Sequence, residues 1–223
     1  MLKQIRALFF SASLLLSLSA HAILSMELTQ GVAGAIPIAI APFADNGATP
    51  PQNVAQIISN DLRNSGRFKV INPSSPNQDV SKLGADNIVI GKVLDNGGQY
   101  QVSFHLLDAL RGTSGASASR TYTVSSGELR AVSHHISDVI YEQLTGVRGV
   151  FSTKIVYVNV ERFGNARARY TLEVADQDGY NPRTLLTSTQ PIMSPAWSPN
   201  ARQIAYVSFE KRFAGIYLQD VAT

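Results

Sequence analysis

From residue 36 to 43 (IPIAIAPF) the chain is apolar at nearly every position, between Gly34 and Asp45. A run this short and unbroken reads as a strand covered on both faces. The spacing then becomes helical: Val54, Ile57, Ile58 and Leu62 recur on one face, Pro50 and Pro51 stand where a first turn tolerates proline, and Gly66 supplies a stop. A short strand is expected at 68–71, then a loop over 72–79, which carries Pro73, Ser74, Ser75 and Pro76. Two long strands, 85–94 and 100–107, flank Asp95-Asn96-Gly97-Gly98, a sequence that accepts the positive φ of a tight hairpin. A partner strand is expected at 120–124, after the Gly- and Ser-rich stretch 112–119. A second helix starts at Ser125, whose spacing to Glu128 is that of a capping box. It runs through Leu129, Val132, Ile136, Val139, Ile140 and Leu144 to Gly146. Helices interleaved with strands predict an α/β or α+β domain, a mixed sheet with two helices against it.

Beyond residue 150 helical spacing disappears and short alternating strands follow, which predicts a second domain of different class. Residues 154–158 (KIVYV) match 203–207 (QIAYV), and 172–176 (LEVAD) match 216–220 (IYLQD); the first hairpin is five residues longer. A period of about 40–50 residues with three or four short strands per unit is that of propeller blades. The turn Ser194-Pro195-Ala196-Trp197-Ser198-Pro199, with the chain's only Trp, is expected to lead into a blade. The fold class is therefore an α/β N-terminal domain followed by the start of an all-β propeller. Because the chain stops at Thr223 inside its second unit, either a fragment of a larger propeller or a partner that supplies the missing surface is expected.

The amino terminus changes the picture. Lys3 and Arg6 precede an uncharged stretch through Ala7, Leu8, Phe9, Phe10, Leu14 and Leu16 to Ala20-His21-Ala22, the pattern of a secretory signal peptide with cleavage between Ala22 and Ile23. The stretch is short of the roughly 20 residues that span a bilayer. The chain contains no Cys, so neither a lipid anchor after the signal nor a disulfide frame is expected, and buried apolar surface must hold the fold. Without Lys3 and Arg6 the formal charge of +3 falls to near +1, which gives no argument for nucleic acid. The expected division is 1–22 signal peptide, 23–150 N-terminal domain and 151–223 first part of a propeller.

The signal peptide, the Ala-Pro-Phe end of 36–43, Asp61-Leu62-Arg63-Asn64-Ser65-Gly66 with Phe68, Leu144-Thr145-Gly146 and residues 193–199 occur together in one order. In these segments the chain resembles the TolB family, soluble periplasmic components of the Tol-Pal envelope system. The resemblance implies a six-bladed propeller, of which this chain holds little more than one blade. It also implies a non-catalytic linking role between the inner-membrane protein TolA and the outer-membrane lipoprotein Pal, in envelope maintenance and in constriction at division. The propeller docks Pal, and the extreme N-terminal segment engages TolA; the matching positions are Ile23, Leu24, Ser25, Met26, Glu27, Leu28, Thr29 and Gln30. No cofactor or metal is implied. Where the family has Asp-Gly after Ser-Pro, this chain has Asn200-Ala201, so the turn is expected to place Asn200 in any left-handed conformation.

The segment Ile23 to Thr29 largely alternates apolar and polar residues, so it could add as an edge strand to its own domain or to a partner's sheet. The other candidate chemistry is thin. Gly112-Thr113-Ser114-Gly115-Ala116 misplaces the second Gly of a nucleophile elbow and lies between strands, which reads as a loop. His134 and His135 point about 100° apart on the second helix, one partly buried and one exposed, and cannot pair on a metal. His105 has neither Cys nor a second His near it. Asp176, Asp178 and Gly179 read as a hairpin turn rather than a calcium loop. The rival function is an exported propeller-containing hydrolase or peptidase whose catalytic domain lies elsewhere.

Overall fold

The computed structural model describes residues 34–47, 49–75, 84–109, 116–164 and 167–222. All belong to one compact unit, Val32–Thr223. The expected signal peptide, its expected cleavage point and the segment Ile23 to Gln30 lie outside the described residues.

The first strand, β1 (Ile36–Ile40), is shorter than the apolar run that announces it. Ala41 N still donates to Val89 O at 3.0 Å, but Pro42 has no N–H and the ladder stops. Phe43 instead lays its ring over Gly91, where a Cβ would meet a ring carbon at 2.3 Å; this close approach explains a glycine inside a long strand. A two-residue strand, β2 (Ala44–Asp45), precedes helix α1 (Val54–Asn64). The helix begins after the two prolines rather than at them, because Asn53 supplies the cap: its Oδ1 accepts from Gln56 N at 3.0 Å.

Strands β3 (Phe68–Ile71), β4 (Asn87–Asp95), β5 (Gln99–Asp108) and β6 (Ala116–Ser125) complete a mixed sheet in the order β3-β1-β4-β5-β6, with β2 beside β4. β1 runs parallel to β3 and β4; β4, β5 and β6 are antiparallel. The β4–β5 turn forms as its sequence predicts, with Asp95 Oδ1 accepting from Gly97 N at 3.0 Å and Gly98 N at 3.1 Å. β6 starts at Ala116, earlier than expected, and pairs along nearly the whole of β5. As an edge strand it needs little burial, so its Ala, Ser and Thr residues conceal it from a pattern search.

A 3-10 turn (Ser126–Glu128) leads into helix α2 (Leu129–Thr145), closed by Gly146 at φ 72°. Ser125 N and Oγ both donate to Glu128 Oε2, at 2.9 and 2.7 Å, and these bonds hold the Glu128 carboxyl below the ordinary glutamate range. Both helices pack on the sheet. Ile58 and Leu62 from α1 and Leu129, Ile136 and Ile140 from α2 meet Ile38, Ile40, Phe104 and Leu106 in the main core.

Two antiparallel three-stranded sheets follow: β7 (Lys154–Phe163), β8 (Arg167–Asp176) and β9 (Arg183–Ser188), then β10 (Ile192–Trp197), β11 (Gln203–Ser208) and β12 (Gly215–Asp220). The repeat is exact in register. Lys154↔Asp176 to Asn159↔Thr171 in the first sheet correspond to Gln203↔Asp220 to Ser208↔Gly215 in the second. β10 crosses the face of β7 and β8, so Leu172 and Val174 are buried with Ile192, Ile204 and Tyr206. Equivalent positions then differ sharply: Leu172 and Val174 are 0 and 4 % exposed, Ile216 and Leu218 81 and 71 %. Covering two such side chains stabilises by about 1.5–3 kcal/mol each, so the open face of the second sheet is the surface on which a further repeat would pack.

Two details of the second sheet depart from expectation. Ser194 and Pro195 lie inside β10, not in a turn; the register shifts between Met193 and Ala196, with Ser194 at φ 51°, and an edge strand with a bulge tolerates proline. In the β10–β11 turn the left-handed residue is Ala201 (φ 54°), not Asn200. Asn200 Oδ1 is engaged, accepting from Ser198 Oγ at 2.7 Å and Arg202 N at 3.1 Å, which leaves the strained position to alanine. Ala201→Gly is expected to stabilise the protein by about 1 kcal/mol, read as a higher urea midpoint at unchanged slope.

Candidate functional site

The second helix has two working faces. Leu129, Val132, Ile136 and Ile140 serve the core, while Arg130, His134, Ser137, Asp138 and Tyr141 form a stripe, three to four residues apart, toward α1 and the residues after the helix. On α1, Asp61 falls where the apolar stripe calls for a hydrophobic residue, and it is 1 % exposed.

Asp61 gathers donors from two elements. Its Oδ2 accepts from Ser137 Oγ at 2.7 Å and from His134 Nδ1 at 2.8 Å; its Oδ1 accepts from Gln177 Nε2, in the β8–β9 turn, at 3.2 Å. Both carboxylate oxygens are thereby satisfied, the condition for burying this group. The Asp61 bond sets the imidazole orientation, and Nε2, in a ring only 3 % exposed, faces Asp178 Oδ2 at 3.9 Å. Asp178 accepts from Arg130 Nη2, and the Arg130 guanidinium stacks 3.9 Å above the Tyr180 ring centroid with Nε 3.6 Å from Asp176. Lys154 Nζ donates to Asp176 Oδ1 at 2.7 Å.

The connection after α2 is pinned by the same helix. Asp138 accepts from Phe151 N at 2.7 Å and Ser152 N at 3.1 Å, and a Cβ on Gly149 would lie 2.7 Å from Asp138 Cα. Rings stack edge to face from Phe68 to Tyr141 to Phe151, at 5.8 and 5.6 Å. Charge-assisted hydrogen bonds, an aromatic ladder and a close backbone approach thus lock the α/β layer to the β7–β9 sheet.

The chemistry of this junction is structural. Asp61, His134 and Asp178 are close enough to suggest a metal site, each offering an atom within 4.8 Å of the others. The donor set argues otherwise: Asp61 already accepts three hydrogen bonds, and Arg130 neutralises Asp178. Serine, histidine and aspartate also stand together, but Ser137 and His134 both donate to Asp61, no serine-to-histidine bond forms, and all three are buried. A hydrolytic triad needs the histidine between the other two and an open nucleophile.

The histidine expectation is corrected on one point: His134 is fully rather than partly buried, because Asp61 and Ser137 give it a polar interior. His135 is exposed, with its ring 5.4 Å from that of Tyr122. His105 is exposed on β5, its Nδ1 2.9 Å from Ser119 Oγ. Asp176 to Gly179 is a hairpin turn, with Gly179 N donating to Asp176 O at 2.8 Å, and the same turn reaches across the junction. Of the near-miss elbow only Ala116 is described, at the start of β6. Sequence reasoning missed Asp61, Ser137, Gln177 and Arg130; an aspartate on the apolar stripe of α1, opposite a polar stripe on α2, was the available signal.

An α/β layer whose second helix is locked to two propeller-type sheets defines the class of this fold, an α/β part followed by the start of a propeller. The family described as the TolB amino-terminal domain matches residues 24–114, and the one described as the TolB beta propeller domain matches 141–223. The chain is 48 % identical over 206 residues to "Tol-Pal system protein TolB" of Legionella pneumophila, covering 90 % of this chain and 48 % of that one. It is 47 % identical over 215 residues to the protein of that name from Coxiella burnetii, covering 90 % and 49 %. The crystal structure of TolB from Acinetobacter baumannii superposes with a TM-score of 0.71 at 37 % identity, over 84 % of this chain and 47 % of that chain. The chain belongs to the TolB family. It spans about half the length of the curated relatives it matches.

Asp61→Ala is expected to cost about 3 kcal/mol in urea unfolding, since it leaves the buried His134 Nδ1 without its acceptor and removes the bonds from Ser137 and Gln177. Arg130→Ala and Asp178→Ala, nearer solvent, should each cost about 1 kcal/mol and the pair less than the sum, in a double-mutant cycle.

Proposed function

We propose that this chain is part of a periplasmic, non-catalytic protein of the Tol-Pal system that links inner-membrane TolA to the outer-membrane lipoprotein Pal, in envelope maintenance and in constriction at division. The observation that carries this reading is that both family matches fall in the expected order on one chain, whose relatives are named as Tol-Pal system proteins. No described helix is long and apolar enough to cross a membrane. Residues 1–22 act as the export signal, cut between Ala22 and Ile23, and the chain divides near residue 150 into the α/β domain and the start of the propeller.

In this reading Ile23, Leu24, Ser25, Met26, Glu27, Leu28, Thr29 and Gln30 contact TolA by adding a strand to its sheet, with backbone hydrogen bonds for affinity and Met26 and Leu28 for register. The propeller takes Pal. A ligand on one domain changes the other only if it prefers one arrangement of the two, and the hydrogen-bonded junction at Asp61 and Arg130 is a physical route for such a preference.

Calorimetric titration of TolA's periplasmic C-terminal domain into two chains, one beginning at Ile23 and one at Val32, tests the assignment. Binding by the longer chain and its loss in the shorter, with unchanged circular dichroism, is the expected result. Equal binding by both would move the contact elsewhere, and no binding by either would remove TolA from the reading.

A further inference from the structure

The β7–β8 hairpin is longer than the repeat requires. Pairs from Lys154↔Asp176 to Asn159↔Thr171 have counterparts in β11–β12, whereas Val160↔Tyr170, Glu161↔Arg169, Arg162↔Ala168 and Phe163↔Arg167 have none. These four pairs carry the hairpin beyond the length that the two sheets share.

The strand ends, with Thr189, border a recess of about 460 Å³ lined by Phe163, Arg167, Ala168, Arg169 and Thr189. Phe163, Arg167 and Arg169 share one face, because directly opposed residues of an antiparallel pair point the same way. The Arg169 guanidinium lies 5.5 Å from the Phe163 ring centroid and 3.4 Å from Glu161 Oε2, both in solvent. Arg167 has no ion-pair partner among the described residues, and the Phe163 ring is more than half exposed. A forked cation beside an open aromatic ring, in a concave setting, matches a carboxylate adjoining an apolar side chain.

We propose that the end of the β7–β8 hairpin, at Phe163 and Arg167, is a docking site for an acidic peptide segment of a partner protein, a carboxylate meeting Arg167 and a neighbouring apolar side chain resting on Phe163. Charge count and shape favour a peptide over a lipid surface. Attraction to anionic membranes draws on clusters of about four to eight basic side chains, whereas Arg162 stands on the opposite face of the hairpin from Arg167 and Glu161 offsets Arg169. The site does not depend on the TolA assignment.

The test follows arginine Nε–Hε and backbone amide signals of the full chain on titration with acetyl-Leu-Asp-Glu-Phe-amide, with its Asn-Gln counterpart, and with vesicles of equal parts phosphatidylcholine and phosphatidylglycerol. Salt-sensitive movement of Arg167, Arg169 and residues 163–169 with the acidic peptide alone is expected. Arg167→Glu should weaken binding about tenfold, the loss of one charge-assisted contact, with an unchanged thermal midpoint; Arg167→Lys should fall between. No movement at the hairpin, equal movement with the Asn-Gln peptide, or a response to vesicles and not to the acidic peptide would each overturn the proposal.

Discussion

A carboxylate as deeply buried as that of Asp61 survives only with donors on both oxygens, and here the donors come from different parts of the chain. Ser137 and His134 belong to α2 and Gln177 to the β8–β9 turn, so one charge organises helix, helix and sheet at once. Satisfying Asp61 orients His134 toward Asp178, and Asp178 in turn receives Arg130 and its stacking partner Tyr180. A greasy contact would tolerate sliding. Hydrogen bonds of fixed direction do not, which makes the relation of the α/β layer to the first blade specific as well as stable.

The two blades show how the same repeat yields different surfaces. Leu172 and Val174 are core residues because β10 lies across them, while Ile216 and Leu218, equivalent in register and likewise aliphatic, stand in solvent. Burial in such an architecture belongs to the neighbour and not to the blade. Residues outside the repeat escape that rule, as Phe163 and Arg167 do, and such departures are where a repeat protein has freedom to acquire a surface of its own.

Much of the fold was legible in local chemistry. The capping box at Ser125, the Asp95–Gly98 turn, the stops at Gly66 and Gly146 and the amphipathic faces of both helices depend on neighbours a few residues away, and each forms where expected. The errors were equally physical. Proline at 42 cut a strand short, a polar edge strand hid from its pattern, and Asn200 used its side chain as an acceptor while Ala201 took the left-handed backbone.

The repeat, the helix faces and the family were thus determined by the sequence itself, because periodicity, turn chemistry and motif order are properties of adjacent residues. Only the tertiary structure decided that Asp61, His134, Asp178 and Arg130 meet, or that Phe163, Arg167 and Arg169 border one recess. Sites of that kind are made by side chains from separate elements, or from two strands and a following loop. Their meeting depends on how helices and sheets pack, a quantity no local spacing encodes.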